Sequence, residues 1–179
     1  MKIFYHYFLA LRPHQWLKNF LLFIPLIATH QINNEKIFLS VLMFISFSFV
    51  ASSVYIFNDL IDIAADKTHP RKKLRPFASK KIATNHGKLF GLLVLFFGIT
   101  FGYYFVSKLF VKLILAYFII STLYSFYFKQ LIVIDICILA VLYTMRIIIG
   151  GLVLNIELSV WLLVFSLFFF FSLAAIKRQ

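Results

Sequence analysis

Apolar residues in this chain come in blocks rather than at the spacing of a water-soluble helix. Residues 37–57, 89–106, 109–128, 132–154 and 158–176 are almost unbroken runs of Leu, Ile, Val and Phe. Each is close to the roughly 20 residues an α-helix needs to cross the hydrocarbon core of a bilayer. A shorter block over 19–32 contains Pro25 and reads as a short, tilted or kinked first span. The pattern predicts an all-α, polytopic transmembrane helical bundle of about six spans, forming one domain over residues 1–179. Residues 1–18 carry Lys2, Arg12 and Lys18 among aromatics and read as an interfacial segment, with Trp16 at headgroup level. A polar loop over 67–88 separates the second span from the third.

Composition supports the block pattern. The chain is 63% hydrophobic and only 13% charged, against about half apolar for a soluble domain. Its 24 phenylalanines read as lipid-facing or packing residues. The net charge of +12 does not indicate nucleic acid, because the basic residues lie in short loops between spans. With the N-terminus in the cytoplasm, 14 lysines and arginines fall on that side. Only Lys36, Lys108 and Lys112 fall on the other, and Arg146 lies within a span. The positive-inside rule therefore places the loop over 67–88 in the cytoplasm. The single Cys137 excludes an intrachain disulfide.

The chemistry is concentrated where the second span meets that loop. Asn58, Asp59, Asp62 and Asp66 fall within nine residues of a chain with six acidic residues in all. On a continuous helix Asn58, Asp62 and Asp66 stack on one face, with Asp59 beside them. Two carboxylates 6 Å apart repel by about 3 kcal/mol at an effective dielectric of 20. Three beside lipid call for cations, and Mg2+ suits oxygen ligands shared with substrate phosphates. The alternative is a solvated helix end neutralised by nearby lysines. The following loop, with His69, Arg71, Lys72, Lys73 and Arg75, has the residue types that grip phosphate. Together they predict a metal–phosphate site: Asp59, Asp62 and Asp66 on Mg2+, and Lys72 and Arg75 on the phosphate, joined by Asn58, His69, Arg71 and Lys73. Arg146, deep in the fifth apolar block, is a candidate for an anionic lipid phosphate; a helix-packing arginine is the alternative. Asp135, three turns earlier on the same face, is expected to point inward without reaching it. Lys18 and Asn19 at the start of the first span are placed to reach the donor phosphate, with snorkelling of Lys18 the alternative. Tyr124, Tyr127 and Trp161 read as interfacial belt residues, and Gly150-Gly151 as a point of close helix approach.

The run Asn58-Asp59-x-x-Asp62-x-x-x-Asp66 resembles the first signature of the UbiA superfamily of intramembrane prenyltransferases. The flanks resemble its decaprenyl-phosphate phosphoribosyltransferase branch. They are Arg12-Pro13-His14-Gln15-Trp16-Leu17-Lys18-Asn19; His69, Pro70, Lys72, Arg75, Pro76 and Ala78 after the aspartates, with Phe77 where the branch has Ile; Arg146 with Gly150-Gly151; and the pair Lys177-Arg178. The resemblance implies about nine helices around a central cavity. This chain is expected to correspond to the N-terminal two-thirds of such a domain, since the family's second motif follows the Lys177-Arg178 pair. It also implies a transferase of the bacterial inner membrane with its site at the cytoplasmic face, and adds Lys177 and Arg178 to the substrate-binding residues. In the phosphoribosyl branch the donor is phosphoribosyl diphosphate and the acceptor a polyprenyl phosphate. In other members a prenyl diphosphate is the donor to an aromatic or other lipid acceptor. An inactive remnant is the non-enzymatic alternative, and oligomerisation stays open.

Overall fold

A computed structural model describes residues 2–128 and 131–178. The described residues contain helices and loops with no strand. Helix α1 (Lys2–Ala10) leads into a 3₁₀ helix over Pro13–Phe23, which continues as α2 (Ile24–Ala28). Then come α3 (Asn34–Ile61), α4 (Ile63–Thr68), a 3₁₀ turn over Lys72–Leu74, α5 (Thr84–Phe105), α6 (Lys108–Leu123), α7 (Ile132–Val153) and α8 (Val160–Arg178). A π-helical turn, Tyr124–Phe128, extends α6.

Among the described residues, four helices are long and apolar enough to cross a membrane: α3, α5, α6 with its π turn, and α7. The apolar part of α8 is shorter. Polar caps set the starts of two of them. The Asn33 side chain accepts from the Lys36 N–H at 2.7 Å, and Ser107 accepts from the Phe110 N–H at 3.1 Å, as N-cap residues do.

The first span predicted over 19–32 starts earlier, as its shortness allowed, and is wound largely as a 3₁₀ helix. Its helical structure begins at Pro13, where proline's fixed φ and missing N–H suit a first turn, and ends at Ala28. The 3₁₀ winding aligns every third residue. Trp16, Asn19, Leu22 and Pro25 thus form one inward row, His14, Leu17 and Phe20 an exposed row, and Gln15 and Lys18 a polar row. Trp16, Asn19 and Leu22 on the inward row meet α3 or α7. The Trp16 indole donates to Ser52 Oγ at 2.9 Å, so the half-buried Trp16 packs on α3. Asn19 Nδ2 donates to Ser48 Oγ at 3.0 Å. Leu22 packs so closely on α7 that a Cβ on Gly150 would lie 2.2 Å from the Leu22 carbonyl oxygen. The close approach expected at Gly150 is therefore present, and its partner is the first segment.

Small residues also join α3 to α5. Ser46 Oγ donates to the Gly98 carbonyl at 2.7 Å, and Gly87, Gly91, Gly98 and Gly102 keep α5 against α3. The core gathers Leu22, Met43, Phe47, Phe110, Ile114, Leu142 and Ile149 from the 3₁₀ helix, α3, α6 and α7. Large side chains such as Phe96, Tyr104, Phe165 and Phe168 face outward, as lipid-contacting residues do in a bundle with no water around its middle.

Candidate functional site

The continuous aspartate ladder predicted on one helix is interrupted. Helix α3 ends at Ile61, and Asp62, with φ −86° and ψ 8°, separates it from α4. Asp59 and Asp66, seven residues apart, still lie on the same side, as residues two turns apart on a helix do. Both are buried, whereas Asp62 is half-buried at the bend.

The loop after α4 then folds back so that Arg75 enters between the two buried carboxylates. Its Nη1 donates to Asp66 Oδ2 at 2.7 Å and to Asp59 Oδ1 at 3.1 Å. Arg12 donates through Nη2 to the same Asp59 oxygen, across 47 residues of chain. Two carboxylates and two guanidinium groups thus form a charge-balanced cluster, with the acidic side chains 3% and 4% exposed. Such pairing is what keeps buried charges tolerable.

Other loop residues divide by exposure. Arg71, Lys72 and Lys73 are exposed. Lys72 and Arg75, read together as the phosphate clamp, therefore lie apart: Arg75 is on the aspartates and Lys72 on the rim. His69 is exposed, and its Nδ1 accepts the backbone N–H groups of Arg71 and Lys72 at 3.2 and 3.3 Å. In this arrangement the ring shapes the loop. Lys177 and Arg178 close α8, but their side chains lie outside the described residues.

Beside the charge cluster, a cavity of about 220 Å³ opens between the N-terminal segment, α3, α6 and α7. Its charged lining consists of Arg12, Lys18 and Arg146, with no carboxylate among the lining residues. Each cation lies against a tyrosine: Arg12 over Tyr55 at 5.5 Å, Lys18 over Tyr143 at 5.6 Å, and Arg146 over Tyr117 at 4.9 Å.

Arg146 points inward, as expected, and is 3% exposed. Its Nη2 donates to the Tyr117 hydroxyl at 2.7 Å, Nε to Asn19 Oδ1 at 3.2 Å, and Nη1 to the Leu142 carbonyl at 2.5 Å. No carboxylate among the described residues forms an ion pair with it. Asp135 is also buried and separate from Arg146; its partner is the Tyr124 hydroxyl, which donates to Oδ1. Tyr124 lines the cavity, which corrects its reading as a belt residue, while Tyr127 and Trp161 are exposed.

Sequence reasoning missed Arg12, Tyr117 and Tyr143 as site residues, while Asn19, read as reaching the donor phosphate, is instead engaged by Arg146 and Ser48. Arg12 carried no signal beyond its place in the N-terminal run, because its pairing depends on a left-handed backbone, φ 52° and ψ 59°, at the corner after α1.

The cluster bears on metal binding. Among the described residues, no three His, Cys, Asp or Glu side chains gather closely enough to hold a metal ion. Asp59 and Asp66 nevertheless supply the hard oxygen donors a divalent cation takes. A guanidinium cation already sits between them, so the donor set suits Mg2+ once Arg75 releases it.

The UbiA prenyltransferase family matches residues 17–178. Among curated proteins, nodulation protein NoeC of Azorhizobium caulinodans is 37% identical over 94% of this chain and 55% of its own length. Decaprenyl-phosphate phosphoribosyltransferase of Corynebacterium glutamicum is 35% identical over 94% of this chain and 52% of its own length. The chain thus spans about half the length of these curated relatives. A UbiA homolog from Archaeoglobus fulgidus, solved bound to GPP and Mg2+, superposes with a TM-score of 0.76 at 20% identity, covering 94% of this chain and 60% of that one. A digeranylgeranylglyceryl phosphate synthase structure gives the same TM-score over 99% and 62%. The helical bundle, the aspartate run at the end of α3 and the match over nearly the whole chain lead to one conclusion: this chain belongs to the UbiA prenyltransferase family.

Proposed function

We propose that the protein is a Mg2+-dependent transferase that moves a phosphoribosyl group from phosphoribosyl diphosphate to a polyprenyl phosphate at the cytoplasmic face of a bacterial inner membrane. The observation that carries this reading is Arg146. A guanidinium buried in a bundle without a carboxylate partner is costly, and a ligand anion in the cavity would neutralise it. The charge cluster at the end of α3 offers a second place for phosphate. Two anion subsites suit two phosphorylated substrates, whereas an aromatic acceptor needs only one. The polar lining, including Gln15, Asn58, Ser121 and Ser125, also suits a sugar better than a hydrocarbon chain. The relatives called decaprenyl-phosphate phosphoribosyltransferase support the same branch.

In this scheme Asp59 and Asp66, with Asp62, hold Mg2+, which when bound neutralises charge on the diphosphate leaving group. Arg75 turns from the carboxylates to the diphosphate oxygens, and Arg71, Lys72 and Lys73 at the rim draw the donor in. Arg12 stays on Asp59 and fixes its orientation. The bond from the ribose anomeric carbon to the diphosphate oxygen breaks, and its electron pair leaves with the diphosphate. A polyprenyl phosphate oxygen, oriented by Arg146 and Lys18, forms the new bond to that carbon. The acceptor is already an anion, so no general base is required.

The alternative is a prenyl diphosphate donor; the Archaeoglobus fulgidus homolog was solved with GPP and with DMAPP. The deciding experiment supplies the protein in nanodiscs with Mg2+ and radiolabelled phosphoribosyl diphosphate or geranyl diphosphate, together with polyprenyl phosphate. Label transfer from phosphoribosyl diphosphate alone is expected. Transfer only from geranyl diphosphate, or from neither donor, overturns the proposal.

A further inference from the structure

One polar atom at the cavity lacks what its chemistry needs. Arg12, Gln15 and Lys18 follow one another at three-residue spacing, and all three line the cavity. Gln15 Oε1 is buried with no hydrogen-bond partner among the described residues. Buried polar atoms are seldom left this way, and each that is calls for an explanation. A loose backbone does not supply one, because the chain on both sides of Gln15 is tied down. The Gln15 N–H donates to the Arg12 carbonyl at 2.8 Å. Arg12 is held by Asp59. The Leu11 carbonyl accepts from Ser52 Oγ at 2.7 Å, and the Trp16 indole donates to the same Oγ. The carboxamide therefore hangs from a fixed backbone, while its terminal torsion is broad. A turn about that torsion carries the oxygen toward a ligand in the cavity.

The rest of the lining narrows what such a ligand must bring. Arg12, Lys18 and Arg146 carry donors only, which suit anionic oxygens. Gln15 Oε1 is an acceptor, and an ionised phosphate or a hydrocarbon chain offers it no proton. A hydroxyl does. We infer that Gln15 is a specificity-determining residue whose carboxamide oxygen accepts a hydrogen bond from a sugar hydroxyl of the donor. This rests on the phosphoribosyl reading and deepens it. Diphosphate contacts alone cannot distinguish a ribosyl from a prenyl donor, since both donors carry the group. A site that hydrogen-bonds a substrate hydroxyl rejects an analogue lacking it far more strongly than a hydrocarbon pocket rejects a neighbouring hydrocarbon. An acceptor left unsatisfied within the chain gives that preference to a polyol.

The test measures binding by calorimetry to the protein in nanodiscs with Mg2+, using phosphoribosyl diphosphate, inorganic pyrophosphate and geranyl diphosphate as probes. Gln15→Met keeps a side chain of similar length and removes the amide. It is expected to weaken phosphoribosyl diphosphate about tenfold and to leave pyrophosphate and geranyl diphosphate unchanged. The same variant is expected to melt at or above the native temperature, since it removes an unpaired buried oxygen. Equal weakening of all three probes would show that the amide serves phosphate or only the packing, and overturns the inference. Unchanged phosphoribosyl diphosphate affinity overturns it too. If the unsubstituted protein binds phosphoribosyl diphosphate no tighter than pyrophosphate, the donor reading fails and this inference with it. If it binds more tightly and the variant matches it, this inference alone fails.

Discussion

Arg146 on α7 donates a 2.7 Å hydrogen bond to the hydroxyl of Tyr117 on α6, deep in the bundle. This bond, the Leu142 carbonyl and Asn19 give the guanidinium polar partners without cancelling its charge. Removing a buried charge that no carboxylate balances relieves its desolvation penalty, which offsets the hydrogen bonds lost to Tyr117 and Asn19. Arg146→Leu is therefore expected to melt at or above the native temperature while losing about 100-fold in transfer, through a raised KM for the lipid acceptor. Thermal unfolding in detergent, paired with kinetics varied separately in donor and acceptor, checks this. Loss of stability without a change in acceptor KM would reduce Arg146 to a packing residue.

Asp59 presents the opposite case, because its two partners are both arginines. Asp59→Ala leaves Arg12 and Arg75 without a shared carboxylate, and breaking a buried pair costs about 3–5 kcal/mol. A markedly lowered melting temperature is expected, together with loss of activity. Arg12→Ala should lose much of the same stability; a melting temperature equal to the native one would contradict the pairing.

The Arg75 bridge also sets an order of binding. With two carboxylates balanced by two guanidinium groups, a divalent cation entering alone meets no net negative charge. Mn2+, followed by its electron paramagnetic resonance, is expected to bind the native protein weakly and at least tenfold tighter when pyrophosphate is added. Arg75→Gln should bind Mn2+ tightly with no pyrophosphate present. Equal affinity of native and variant for the metal alone would show that Arg75 does not compete for the aspartates.

Gly150 offers a test of the packing that carries Asn19 to Arg146. A methyl group there meets the Leu22 carbonyl at 2.2 Å, and backbone cannot yield as a flexible side chain does. Gly150→Ala is expected to destabilise by about 1–3 kcal/mol and to lower activity, measured by thermal unfolding and the transfer assay.

Sidedness is testable through the exposed loop. Lys73→Cys in a Cys137→Ser background should react with a membrane-impermeant maleimide in inside-out vesicles and resist it in right-side-out ones. The reverse pattern would invert the orientation read from the lysines and arginines.

The sequence made some of this legible. Unbroken apolar runs marked α3, α5, α6 and α7, because lipid imposes one solvent on every face of a span. The aspartate run showed where the site lies, since carboxylates crowd there in an acid-poor chain. The kink at Asp62 was not legible: nothing in Ile61-Asp62-Ile63 breaks a helix. The bridge joining Asp59 to Asp66 was not legible either, since it depends on Arg75, nine residues beyond Asp66. Tyr117 was hidden in the same way, as one aromatic among many whose contact with Arg146 needs α6 and α7 to converge, whereas Tyr143, three residues before Arg146 on the same helix, is a neighbour by spacing alone.

The 3₁₀ winding of Pro13–Phe23 bears on depth as well as on facing. A 3₁₀ helix rises about 2.0 Å per residue against about 1.5 Å for an α-helix. The sixteen residues from Pro13 to Ala28 would reach only about 24 Å as a continuous α-helix, but they extend about 30 Å as they are wound here. That matches the hydrocarbon thickness of a typical bilayer, about 30 Å. Wound this way, sixteen residues gain a length comparable with that thickness, which the same run as an α-helix would not reach.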